Sequence, residues 1–83
     1  MDVLDDRAAS HWEVVIDPLN VYGELLYRIY FKHRQHAWKF LYRHFSSSRL
    51  AREEQDRIAR DLTMRDDRFR EKYRIGHDLR AAL

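Results

Sequence analysis

Residues 17–45 read DPLNVYGELLYRIYFKHRQHAWKFLYRHF, and the fold assigned to this 83-residue chain turns on how that stretch is read. Asp17 is a favoured helix cap, and Pro18 suits a first helical turn because its missing N–H would have no partner there. From Leu19 onward only Gly23 opposes helix, and the next punctuation is Ser46-Ser47-Ser48. The pattern predicts one long helix over residues 18–45 in an all-α fold, a small bundle of about three helices.

Composition favours the same class. With no cysteine, two glycines and one proline, the chain has no disulfide staple and little turn chemistry for sheets. Charged residues make up 36 % and hydrophobic residues 45 %, which describes a globular chain and not a disordered one. A single domain is expected, with an acidic arm or short helix over 1–17, a loop at 46–48, helices over 49–62 and 64–75, and a tail over 76–83. Thr63 and Asp66 resemble a capping box for the last helix, Gly76 stops it, and Asp78 caps a final turn. His11-Trp12-Glu13-Val14-Val15-Ile16 is strongly β-branched, yet a lone strand would have no partner.

Charge is unevenly distributed. Residues 1–24 hold six acids and one base, residues 25–52 hold seven bases and no acid, and residues 53–83 hold eight of each. On a helix turning about 100° per residue, Arg28, Lys32, Lys39 and Arg43 line up as one cationic stripe. Arg49 and Arg52 continue it, so the six form a candidate track for nucleic-acid phosphates. The alternative is a solvated face, or one paired with the acidic N-terminal arm.

The apolar residues of the same helix cover more than half its circumference, against slightly over ~100° for an ordinary surface helix. A helix of 28 residues would also run about 42 Å and overhang its own domain. Tyr27, Phe31, Trp38, Tyr42 and Phe45 are therefore the candidate protein interface, since tyrosine and tryptophan combine an apolar body with a polar handle. The expected function is a non-enzymatic protein-interaction module, a homo-oligomer or an accessory subunit of a larger assembly such as a viral one. Nucleic-acid binding through the cationic stripe is the alternative.

Other chemistries find little support. His33 and His36 could chelate locally but lack a completing ligand, and His44 lies about 16 Å further along a helix, so no metal or other cofactor is expected. There is no glycine-rich phosphate loop, cysteine nucleophile or serine elbow, and the paired carboxylates sit among arginines. Acidic Met1–Asp6 does not read as a secretory signal and no segment reads as a membrane span, which gives a cytoplasmic expectation. No family resemblance emerges. Leu26-Tyr27-Arg28 and Leu41-Tyr42-Arg43 spell the tripeptide of a family of small mitochondrial assembly factors, but that family's downstream arginines and phenylalanine are not in place.

Overall fold

A computed structural model describes residues 9–75, and it replaces the all-α bundle with an α+β fold. A 3-10 turn at Ala9–His11 leads into three strands, β1 (Trp12–Val21), β2 (Glu24–His33) and β3 (Lys39–Phe45), and two helices follow, α1 (Ser48–Ala59) and α2 (Asp66–Lys72). A second 3-10 turn, Arg60–Thr63, joins the helices. The arm residues 1–8 and tail residues 76–83, with Gly76 and Asp78, lie outside the described residues.

The long helix over 18–45 does not exist. Its residues supply the end of β1 and all of β2 and β3, an antiparallel meander in the order β1-β2-β3. The physical reason begins at Tyr22-Gly23, where φ is +52° and +89°. Two successive positive φ angles make the tight hairpin turn whose twist matches that of the flanking strands. The Asn20 side chain accepts a hydrogen bond from the Gly23 N–H at 2.8 Å and locks the turn. Gly23 is thus the pivot of a hairpin, and the β-branched run before it finds in β2 the partner strand it lacked. Pro18 is tolerated because β1 is an edge strand, where an absent N–H need not break the ladder.

At a period of two the aromatic wealth of 17–45 sorts onto two faces. Ile29 and Phe31 of β2 point inward with Trp12, Val14 and Ile16 of β1 and Phe40 and Tyr42 of β3. There they meet Ile58 of α1, Phe69 of α2, and Tyr73 and Ile75 beyond it. The result is a two-layer domain 20 Å along its shortest axis, one sheet under one helical layer.

The register shifts between Ile29 and Tyr30, so β3 carries a bulge around Tyr42-Arg43. Both side chains thereby reach Glu54 on α1, Tyr42 by a 2.8 Å hydrogen bond and Arg43 by an ion pair at 3.7 Å. Ser47 caps α1 by accepting a hydrogen bond from the Leu50 N–H. The Thr63–Asp66 capping box does not form. Arg65 occupies the cap of α2 without a side-chain bond, and Asp66 instead accepts from the Trp12 indole at 2.8 Å.

Candidate functional site

Strand alternation fixes what the outer face of the sheet displays, because each row across it is set by the pairing register. Glu13, Lys32 and Lys39 form one row; Val15, Tyr30 and Leu41 form the next; Asp17, Arg28 and His44 form the third. Leu19 opposite Leu26 continues along the hairpin, beyond the last β2–β3 pair at Tyr27 and Phe45. Among the described residues no helix packs on this face. Leu41 is 57 % exposed and Leu19 38 %, whereas Phe31 on the opposite side is 1 % exposed.

The face is segregated by charge as well as striped by polarity. Its β1 edge carries Glu13 and Asp17, while its centre and β3 edge carry Arg28, Lys32, Lys39 and His44. Arg28 reaches across to Asp17 at 2.9 Å, and Glu13 pairs with Arg34 of the β2–β3 loop at 3.1 Å. Lys32 and Lys39 stand directly opposite one another with no carboxylate at ion-pair distance among the described residues. Like charges so placed cost stability. Part of that cost is offset at Tyr30, whose ring lies 4.2 Å from the Lys39 ammonium and 5.3 Å from the Arg28 guanidinium.

The cationic residues expected to share one stripe therefore divide. Arg28, Lys32 and Lys39 meet on the outer face, but Arg43 lies on the helix side against Glu54, Arg49 pairs with Glu53 on α1, and Arg52 lies beside a cleft. The aromatic interface set divides too. Phe31 is core, and Tyr42 is half-buried beneath α1 with its hydroxyl on Glu54. Phe45 packs at the core margin under the Arg43 guanidinium, and Tyr27 pairs with it across the strands. Trp38, in the β2–β3 loop, is 46 % exposed and stacks on His36 at 4.2 Å. The five share no open surface. Val15, Tyr30 and Leu41 do share a face; a helical projection puts Tyr30 and Leu41 in the same apolar arc as the five and leaves Val15 outside the helix, whereas the period-two pattern Glu13-x-Val15-x-Asp17 and Arg28-x-Tyr30-x-Lys32 separates them.

At the other end of the sheet, on its helix side, imidazoles and indoles form one cluster. His33 lies 4.7 Å from His36 and 5.9 Å from His11, with Trp12 edge-on at 4.9 Å. Burial holds the His33 pKa below its ordinary value, the neighbouring His36, His11 and Arg70 act in the same direction, and Asp66 opposes them. No group of three or more His, Asp or Glu among the described residues is placed to hold a metal ion. A cleft of about 600 Å³ opens between β1 and α1, with Ile16, Pro18 and Tyr27 on the sheet side and Arg52, Gln55 and Asp56 on the helix side.

The best-connected carboxylates are engaged in joining elements. Glu54 receives Tyr42 and Arg57, and the Arg57 hydrogen bond above all keeps its pKa low, against the effect of burial. Asp61 receives Lys72 and Tyr73 and is held low by them. No helix of the described residues is long and apolar enough to cross a membrane. Compared with protein-family models, curated proteins and solved structures, the chain matches none, so the site is read from its own residues.

Proposed function

We propose that the protein is a non-enzymatic protein-interaction module that docks through the outer face of its sheet. The observation that carries this reading is the row Val15-Tyr30-Leu41 on the face that no described element covers, with Leu41 exposed and Val15 and Tyr30 partly buried, framed by rows of charge. An apolar centre with a charged rim is how specific protein interfaces are built, and a half-exposed tyrosine suits such a centre. The helix side of the same sheet is already filled by the domain's own core. The surface differs from the aromatic set expected on a helix.

One observation favours a second reading, nucleic-acid binding. Lys32 and Lys39, with no carboxylate at ion-pair distance among the described residues, could neutralise phosphates while a base stacks on the Tyr30 ring. Against it, Glu13 and Asp17 share the face and Arg43 does not.

The test compares the full chain with Leu41→Glu, both purified without nuclease from the cells that express them, at low and high salt. The interface reading expects wild-type protein to hold a protein partner, itself or another, at both salts and the variant to lose it. Retention unchanged by Leu41→Glu would refute it. A 260 nm-absorbing species stripped by high salt would install the nucleic-acid reading instead.

A further inference from the structure

We infer that the occupant of the outer face is a second copy of this chain, packed sheet to sheet about a two-fold axis that runs parallel to β2. The inference rests on the interface reading above and names its partner.

A two-fold axis lying between two stacked sheets and parallel to their strands keeps each row at its own level and reverses the lateral order. The β1 edge of one copy then lies over the β3 edge of the other. Read row by row, this places Glu13 over the mate's Lys39, Val15 over its Leu41, Tyr30 beside its Tyr30, and Asp17 over its His44. At the edges of both charged levels acid meets base, and apolar meets apolar between them, while Lys32 near the axis faces the mate's Lys32 and offsets part of that gain. An axis perpendicular to the strands, through the Val15-Tyr30-Leu41 row, would instead lay β1 on β1 and β3 on β3, setting Glu13 on the mate's Asp17 and Lys39 on its His44. The segregation of Glu13 and Asp17 from Lys39 and His44 thus selects one of the two ways a sheet can stack on itself. Arg28, near the axis, is already matched by Asp17 of its own chain, which limits the repulsion there.

Edge-to-edge pairing is the other route by which a sheet recruits a copy, and here it is blocked. The free edge of β3 carries Lys39, Arg43 and a bulge, the devices that keep edge strands apart. The β1 edge is approached from α1 by Gln55, which donates to the Val14 carbonyl at 2.7 Å.

Size is adequate for a modest dimer. Three strands about 4.8 Å apart and ten residues rising about 3.3 Å each give a face of roughly 14 by 33 Å. With side-chain relief, two such faces bury on the order of 1,200 Å², the lower end for specific complexes. Association in the micromolar range is expected, and it would be completed at the protein concentrations used for spectroscopy.

The experiment uses the full chain alone. Sedimentation velocity across a concentration series should show a monomer–dimer equilibrium that Leu41→Glu abolishes. Glu13→Lys and Lys39→Glu should each weaken dimerisation by about five-fold, since each removes two symmetry-related contacts, and the double variant should recover most of the loss. Lys32 separates the two side chains within one chain, so the recovery reports the contact between copies. Because the chain has no cysteine, Tyr22→Cys takes a single spin label at the hairpin tip. With sheets ~10 Å apart crossing at ~30°, the axis proposed puts the two tips roughly 20–30 Å apart, and the perpendicular axis puts them about 50 Å apart. A monomer at every concentration, a dimer indifferent to Leu41→Glu, or a tip distance near 50 Å would overturn the inference. A monomer that still captures another protein through Leu41 would sink it and leave the interface reading standing. Leu41-independent behaviour in both experiments would sink both.

Discussion

Two adjacent aromatic residues give the sharpest test of the fold. Phe31→Leu removes a ring that is 1 % exposed and touches the rings of Tyr42, Phe69 and Tyr73 at centroid distances of 5.2, 5.6 and 5.5 Å. Aromatic pairs contribute ~0.5–1.5 kcal/mol each beyond their buried area, and because the three share one ring they do not add fully. A loss of about 2 kcal/mol follows, which for a domain of this size lowers Tm by roughly 8–16 °C. Tyr30→Leu, one residue earlier, loses two cation–π contacts that share one ring on the outer face, together about 1 kcal/mol. Its Tm should fall by about half as much, roughly 4–8 °C. Thermal unfolding followed by circular dichroism, at submicromolar protein below the dissociation constant expected for the dimer, compares the two directly. Equal losses, or a larger loss for Tyr30→Leu, would refute the strand alternation on which the outer face is defined.

Two further outcomes are expected. Tyr42→Phe strips the hydroxyl that donates to Glu54 and should cost about 1–2 kcal/mol by chemical denaturation, whereas an unchanged midpoint would mean that the β3 bulge does not press Tyr42 against α1. The His33 pKa is lower in the folded protein than in the unfolded chain, so below pH 6.5 the unfolded state binds more protons. Stability should therefore be full above pH 6.5, fall as pH drops through it, and stop falling once pH is below the native His33 pKa. Denaturation midpoints between pH 7.5 and 5, compared with those of His33→Asn, check this, and identical slopes in the two proteins would remove His33 as the cause.

The period of the apolar pattern explains why the strands were hard to read from sequence. Residues 17–45 satisfy both periods: at 3.6 they give a helix apolar over more than half its surface, and at 2 they give two strands with distinct faces. On a helix the excess apolar arc would be a surface awaiting a partner. In the structure that arc disappears, because Phe31, Tyr42 and Phe45 turn to α1 and α2 while Tyr30 and Leu41 turn outward. Gly23, the one residue of the stretch that opposes helix, marks the turn. Its meaning depended on Tyr22, a residue with no turn preference, taking a positive φ beside it.

What local chemistry determined by itself was the serine-capped helix after Phe45, where Ser47 holds the Leu50 N–H, together with the amphipathic segment carrying Phe69 and Tyr73. Charge segregation along the chain was also legible, with acids dominating before residue 25 and bases alone over 25–52. Only tertiary structure decided that the two charge blocks lie side by side on one sheet, because strand pairing joins Glu13 to Lys32 across 19 positions of sequence. It likewise decided that Arg28, Lys32 and Lys39 share a surface while Arg43 does not, through a one-residue bulge that no local propensity encodes. A helix repeats from within its own segment, whereas a strand has no face until its partner's register assigns one, and that difference sets what could and could not be read in advance.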